Sequence, residues 1–119
     1  MKDNIVKDKS FEFAIKIMEL YKFLCEHEKE FVMSKQLLLS DASIGANTRE
    51  SKYAESRLDF IHKLSISSKG TNKSGYWLEL LNKSNYFSKN VFDKMNIQLI
   101  EILKLLTAII KLFKNHKSN

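Results

Sequence analysis

In the last quarter of the chain, Phe92, Met95, Leu99, Ile102, Leu106, Ile109 and Phe113 follow one another at steps of three and four. That alternation is the seam of a helix packed against other helices. It predicts a helix over about 88–115, with Ser88 as its N-cap. About 26 residues rising 1.5 Å each span roughly 39 Å. Near the start, two apolar stripes run side by side: Phe11, Ala14, Met18, Tyr21 and Cys25, and next to them Phe13, Ile17, Leu20 and Leu24. Glu12, Lys16, Glu19 and Glu26 take the opposite side, with Glu12 and Lys16 at the favourable i,i+4 spacing. They predict a first helix over about 10–27, capped by Ser10.

Between these two segments, Phe31, Leu37, Leu38 and Ile44 sit among Ser34, Ser40, Ala42, Ser43, Gly45 and Ala46. The pattern predicts a second helix over about 28–51. Small side chains let a neighbouring helix come close, so Gly45 reads as tight packing more than as a turn. A third helix covers about 53–82, with Ala54, Leu58, Ile61, Ser65 and Ser68 as one seam and Phe60 and Leu64 as another. Within it, KGTNKSG from Lys69 to Gly75 has the chemistry of a loop. Local propensity alone would split this helix in two, with Trp77, Leu78, Leu80 and Leu81 in the second piece.

Long helices joined by short polar turns make an all-α, antiparallel up-down-up-down four-helix bundle, here a single domain over residues 1–119. The chain has no proline and only three glycines, so helix can run through nearly all of it. The single cysteine, Cys25, can form neither an internal disulfide nor a thiolate metal cage. With the opening MKDNIVKDKS, which lacks the apolar run of a signal peptide, it points to the cytoplasm. The most apolar stretch, Ile97 to Phe113, is interrupted by Glu101, Lys104 and Lys111 and does not read as a membrane span.

Beside its seam the last helix carries Ile97, Ile100, Leu103, Leu105, Ile110 and Leu112. A helix apolar around most of its circumference is buried on two sides, and a bundle of this size has no second core to receive it. The pattern predicts a homo-oligomer with Ile97, Ile100, Leu105 and Leu112 in the interface.

Four segments in order carry a family resemblance: KSFEFAIKIMELYKFL (Lys9 to Leu24), SKQLLLSDASIGANTRES (Ser34 to Ser51), SRLDFIHKLSI (Ser56 to Ile66) and GYWLELL (Gly75 to Leu81). Together they resemble the bacterial four-helix-bundle family encoded in intervening sequences of 23S ribosomal RNA genes. The resemblance implies a continuous third helix, which is the reading we prefer, and assembly as a ring-like homopentamer. It implies association with RNA-related elements but no defined activity. A related group, the accessory variability proteins of diversity-generating retroelements, forms basic pentameric barrels that bind nucleic acid and a reverse transcriptase. The chain departs from the family pattern at Leu39, where an arginine is usual, and at Gly70, Lys73 and Gly75, where glutamates are usual.

Charge adds a functional hint. Twenty Lys plus Arg against fourteen Asp plus Glu leave a net +6. Lys63, Lys69 and Lys73 gather in the third helix, Arg49, Lys52 and Arg57 surround the second turn, and Lys111, Lys114 and Lys117 lie near the C-terminus. A symmetric oligomer repeats each cluster into a basic ring that attracts polyanions and releases their counterions. Arg49, Lys52, Arg57, Lys63, Lys69 and Lys73 are therefore candidate nucleic-acid contacts. With two arginines and no glycine-rich or aromatic RNA-reading motif, such contacts are to phosphate and weakly sequence-specific. The same charge can also serve solubility alone.

Gln36, Ser40, Ser43 and Asn47 recur along one side of the second helix and suggest a hydrogen-bond ladder between helices that fixes register. His27, His62 and His116 are too scattered to read as metal ligands, and no phosphate loop or nucleophile elbow is present. No cofactor is implied, and the chain does not read as an enzyme. Two functional readings follow: an oligomeric basic bundle that engages RNA or a nucleoprotein, or a protein-interaction scaffold that makes no contact with nucleic acid.

Overall fold

The computed structural model describes residues 2–115; His116 and Lys117 lie outside them. Helix α1 spans Lys2–Glu26, α2 Met33–Glu50, α3 Arg57–Lys83 and α4 Lys89–Asn115, with a 3-10 turn at Ser51–Tyr53. α1 and α3 each pack on both α2 and α4, and the diagonal pairs make no close backbone approach. This is the antiparallel four-helix bundle, 53 × 22 × 19 Å, with no strand among the described residues.

The predicted α4 seam is buried from Met95 to Ile109, and Phe92 and Phe113 are half-buried at its ends. Phe113 packs on Phe60 of α3 with ring centroids 4.5 Å apart. Ser88 caps α4 by accepting from the Val91 amide at 3.2 Å.

In α1 only one of the two stripes is core. Phe13, Ile17, Leu20 and Leu24 are buried together with Val6, whereas Phe11 and Met18 are exposed. Periodicity permits both stripes, but a helix touching two neighbours turns one inward and leaves its twin on the outer flank. α1 also begins well before Ser10. That serine is buried mid-helix, its hydroxyl without a partner, and it caps nothing.

α2 starts at Met33, later than the predicted 28, because its cap comes from upstream. Glu30 accepts from the amides of Val32, Met33 and Ser34 at 3.1, 3.0 and 2.7 Å. Burial alone would push this carboxyl up; the bonds from Met33, Ser34 and Val32 outweigh it and hold the group below the usual glutamate range. Its contribution is present above the unfolded pKa and lost as pH falls through the folded value. Glu30→Ala should lower stability by about 2 kcal/mol near neutral pH, read as a lower urea midpoint with unchanged m.

α3 is continuous through Lys69–Gly75, as preferred. Ser56 caps it by accepting from the Asp59 amide at 3.0 Å, and Asp59 Oδ2 accepts in turn from the Glu55 amide at 3.1 Å. Its inward face is not the Ala54–Leu58 seam: Leu58 is 70% exposed and Ala54 precedes the helix. Leu64, Ser67, Gly70, Thr71, Ser74, Leu78 and Leu81 are the buried residues. The loop-like composition is a packing surface for α2, and burial overrides weak propensity. A Cβ on Gly70 would lie 2.9 Å from the Ser40 carbonyl oxygen and 3.2 Å from Ile44 Cγ1, while one on Gly45 would meet nothing within 4 Å. Gly70, not Gly45, is the glycine of close approach. α3 ends in a Schellman turn: Asn85 has φ 68, its amide bonds to Asn82 O at 3.0 Å, and the Tyr86 amide bonds to Leu81 O at 3.0 Å.

The hydrogen-bond ladder between α2 and α3 uses other residues than those predicted. Ser67 Oγ donates to the Ile44 carbonyl at 3.1 Å and lies 3.1 Å from Thr48 Oγ1. Having spent its one proton, Ser67 must accept from Thr48. By contrast, Ser40 Oγ bonds to Gln36 O, and Asn47 Nδ2 to Ser43 O, both within α2. One turn of α2 also buries Asp41, whose Oδ1 has no partner among the described residues. Burial pushes its carboxyl up to about 7.

Candidate nucleic-acid interface

Where α2 and α3 close on each other at Gly70, their outer edges frame a groove of about 500 Å³. Gln36, Leu39, Ser40 and Ser43 form the α2 wall; Ile66, Lys69, Lys73, Tyr76 and Trp77 form the α3 wall. Lys69, Lys73 and Tyr76 stand at i, i+4 and i+7, one edge of a helix, with about 5–6 Å between successive Cβ atoms. Both lysines are exposed, and Tyr76 is 58% exposed. Trp77 is half-buried against the core and meets the Tyr76 ring edge-on, centroids 5.0 Å apart and planes at 77°. Among the described residues no acidic side chain lines the groove, so the two lysines give it a positive field.

Of the six sequence-predicted cations, the structure brings only Lys69 and Lys73 together here. Arg49 lines a separate groove of about 590 Å³ between α1 and α2, where Lys7, Asp8 and Glu12 mix the signs. Lys52 sits on the 3-10 turn with its Nζ 5.7 Å from the Tyr53 ring centroid. Arg57 opens α3, and Lys63 is half-buried outside the groove. Gln36, Ser40 and Ser43 of the predicted polar row form the far wall, while Asn47 lies beyond it.

Among the candidate interface residues, Ile97, Ile100 and Leu112 are exposed, whereas Leu105 packs against the core. α1 adds Ile5, Phe11, Ile15, Met18 and Phe23 to the exposed apolar surface, which is therefore not confined to α4 as its pattern alone predicts.

Among the described residues no group of three or more His, Cys, Asp or Glu could hold a metal ion. His27 and His62 are exposed, and Cys25 is half-buried with its Sγ 3.9 Å from Ser34 Oγ. No described helix is long and apolar enough to cross a membrane. Tyr76 is the functional candidate that sequence reasoning missed; its spacing from Lys69 and Lys73 was the available signal.

The fold and the groove define a small antiparallel four-helix-bundle protein with a lysine- and tyrosine-edged channel on one face. The chain belongs to the 23S rRNA-intervening sequence protein family, whose model matches residues 2–108. A crystal structure of a protein of unknown function from the S23 ribosomal protein family of Bacteroides thetaiotaomicron is 56% identical to it, with a TM-score of 0.91 over 93% of this chain and 99% of that one. No curated protein matches the chain significantly.

Proposed function

We propose that this chain is a non-catalytic, oligomeric helical-bundle protein of the cytoplasm that engages RNA, free or within a nucleoprotein, through its basic surface. The observation that carries this reading is the α2/α3 groove, where two exposed lysines share one edge with no acidic lining residue. Phosphate contacts by Lys69 and Lys73 release counterions and supply affinity without sequence information. Exposed apolar side chains on α1 and α4 support self-association. Five copies, the number the family resemblance implies, would repeat the groove and add avidity.

One purified sample tests this by light scattering and by an RNA titration across a salt series. The expected mass exceeds that of a single 13.9 kDa chain. Affinity should fall steeply as salt rises, and Lys69→Glu with Lys73→Glu should weaken binding by about tenfold or more at low salt. A salt-independent signal, or no RNA affinity, would return the chain to the scaffold reading.

A further inference from the structure

Resting on that reading of the groove, we infer that its occupant is a single-stranded RNA segment with a base stacked on the Tyr76 ring and its phosphates on Lys69 and Lys73. Four observations converge. Tyr76 is a large aromatic left more than half exposed at the groove edge, not folded into the core. An exposed tyrosine alone is ordinary; one in line with two exposed lysines, at i+7 and i+3 from them, is a stacking surface beside a phosphate track. Trp77 meets that ring edge-on from its half-buried place and buttresses it, while Tyr76 stays 58% exposed. Across the groove, Gln36 and Ser43 offer an amide and a hydroxyl that can both donate and accept toward a base edge.

A duplex does not fit this chemistry. In A-form RNA each base face is covered by the next pair, so the ring has nothing to stack on. An unpaired strand offers base faces and backbone together, and stacking tolerates any base. The aromatic contact thus adds a preference for strandedness to the otherwise nonspecific phosphate contacts.

The test uses the full chain and fluorescein-labelled RNA of one sequence, as a single strand and as a blunt duplex. Wild type should bind the single strand more tightly than the duplex. Tyr76→Ala should weaken single-strand binding about tenfold and leave duplex binding within about twofold, while Tyr76→Phe should keep wild-type affinity. Because Tyr76 is exposed, the thermal melt of Tyr76→Ala should match wild type and exclude misfolding as the cause. Equal affinity for both strand forms, or unchanged single-strand binding by Tyr76→Ala, overturns the inference while leaving lysine-dependent RNA binding standing. Absence of any RNA binding by wild type overturns both.

Discussion

Raising the pH from about 5 to about 8 should destabilise this bundle, and Asp41→Asn should remove most of that loss. The Asp41 carboxyl is raised from 3.8 to about 7 by burial, so the folded chain keeps a proton that the unfolded chain releases. Its carboxyl weakens nothing below the unfolded pKa. The penalty grows between the two values and is complete once pH has passed the folded one. The full penalty, 7 − 3.8 or about 3 units at 1.36 kcal/mol each, comes to about 4 kcal/mol, of which roughly two-thirds accrues above pH 5. Glu30 acts in the opposite, acidic window, because its carboxyl is held below the usual range, and does not enter this comparison. Urea unfolding of both proteins at each pH reads the effect. Near pH 4 the two midpoints should nearly coincide; at pH 8 the variant should be the more stable by several kcal/mol. A wild-type midpoint that moves in parallel with the variant would show that Asp41 does not carry the penalty.

Gly70→Val should cost about 3 kcal/mol, while Gly45→Ala should add about 1 kcal/mol. Both glycines lie in helices, where every residue type but proline is intrinsically favoured over glycine. At Gly45 the space is open and propensity alone decides. At Gly70 the new Cβ would face the Ser40 carbonyl and Ile44 from under 3.3 Å, and a backbone oxygen cannot swing aside as a side chain can. The added γ-carbons would force α2 and α3 apart, opening the Thr48–Ser67 contact as well. Thermal melts of the two variants should therefore shift in opposite directions. A stabilised Gly70→Val would mean that the helices separate without loss.

Much of the architecture is legible in the residues. The α4 heptad and the Ser88 cap need no neighbours to be recognised, because period and cap chemistry are local. α1 is harder: two adjacent stripes satisfy the same period, and only contact with α2 and α4 selects Phe13 and Ile17 over Phe11 and Met18. The Glu30 cap escapes the usual pattern because the carboxylate reaches the first-turn amides from outside α2 instead of from the N-cap position. Continuity of α3 is invisible to propensity, since glycine and serine are poor helix formers until a partner helix fills the space beside them. In the candidate site, Lys69 and Lys73 are found by charge, as is Arg49, but Arg49 lies on α2, 20 residues before Lys69, and lines the groove on the other flank of that helix. Charge alone does not say which face of the bundle a cation occupies, because each residue turns a helix by about 100°.

Of the four packed helix pairs, three are consecutive in the chain; only α1 with α4 brings distant segments together, tied by Lys9 Nζ to Glu101 Oε1 at 3.2 Å. The surface ion pair itself is worth under about 1 kcal/mol. Assembly can thus proceed by zipping each helix onto its predecessor, and the entropy of a long excursion is met a single time, when the first and last helices meet. On this topology the α1/α4 seam is the last junction to close.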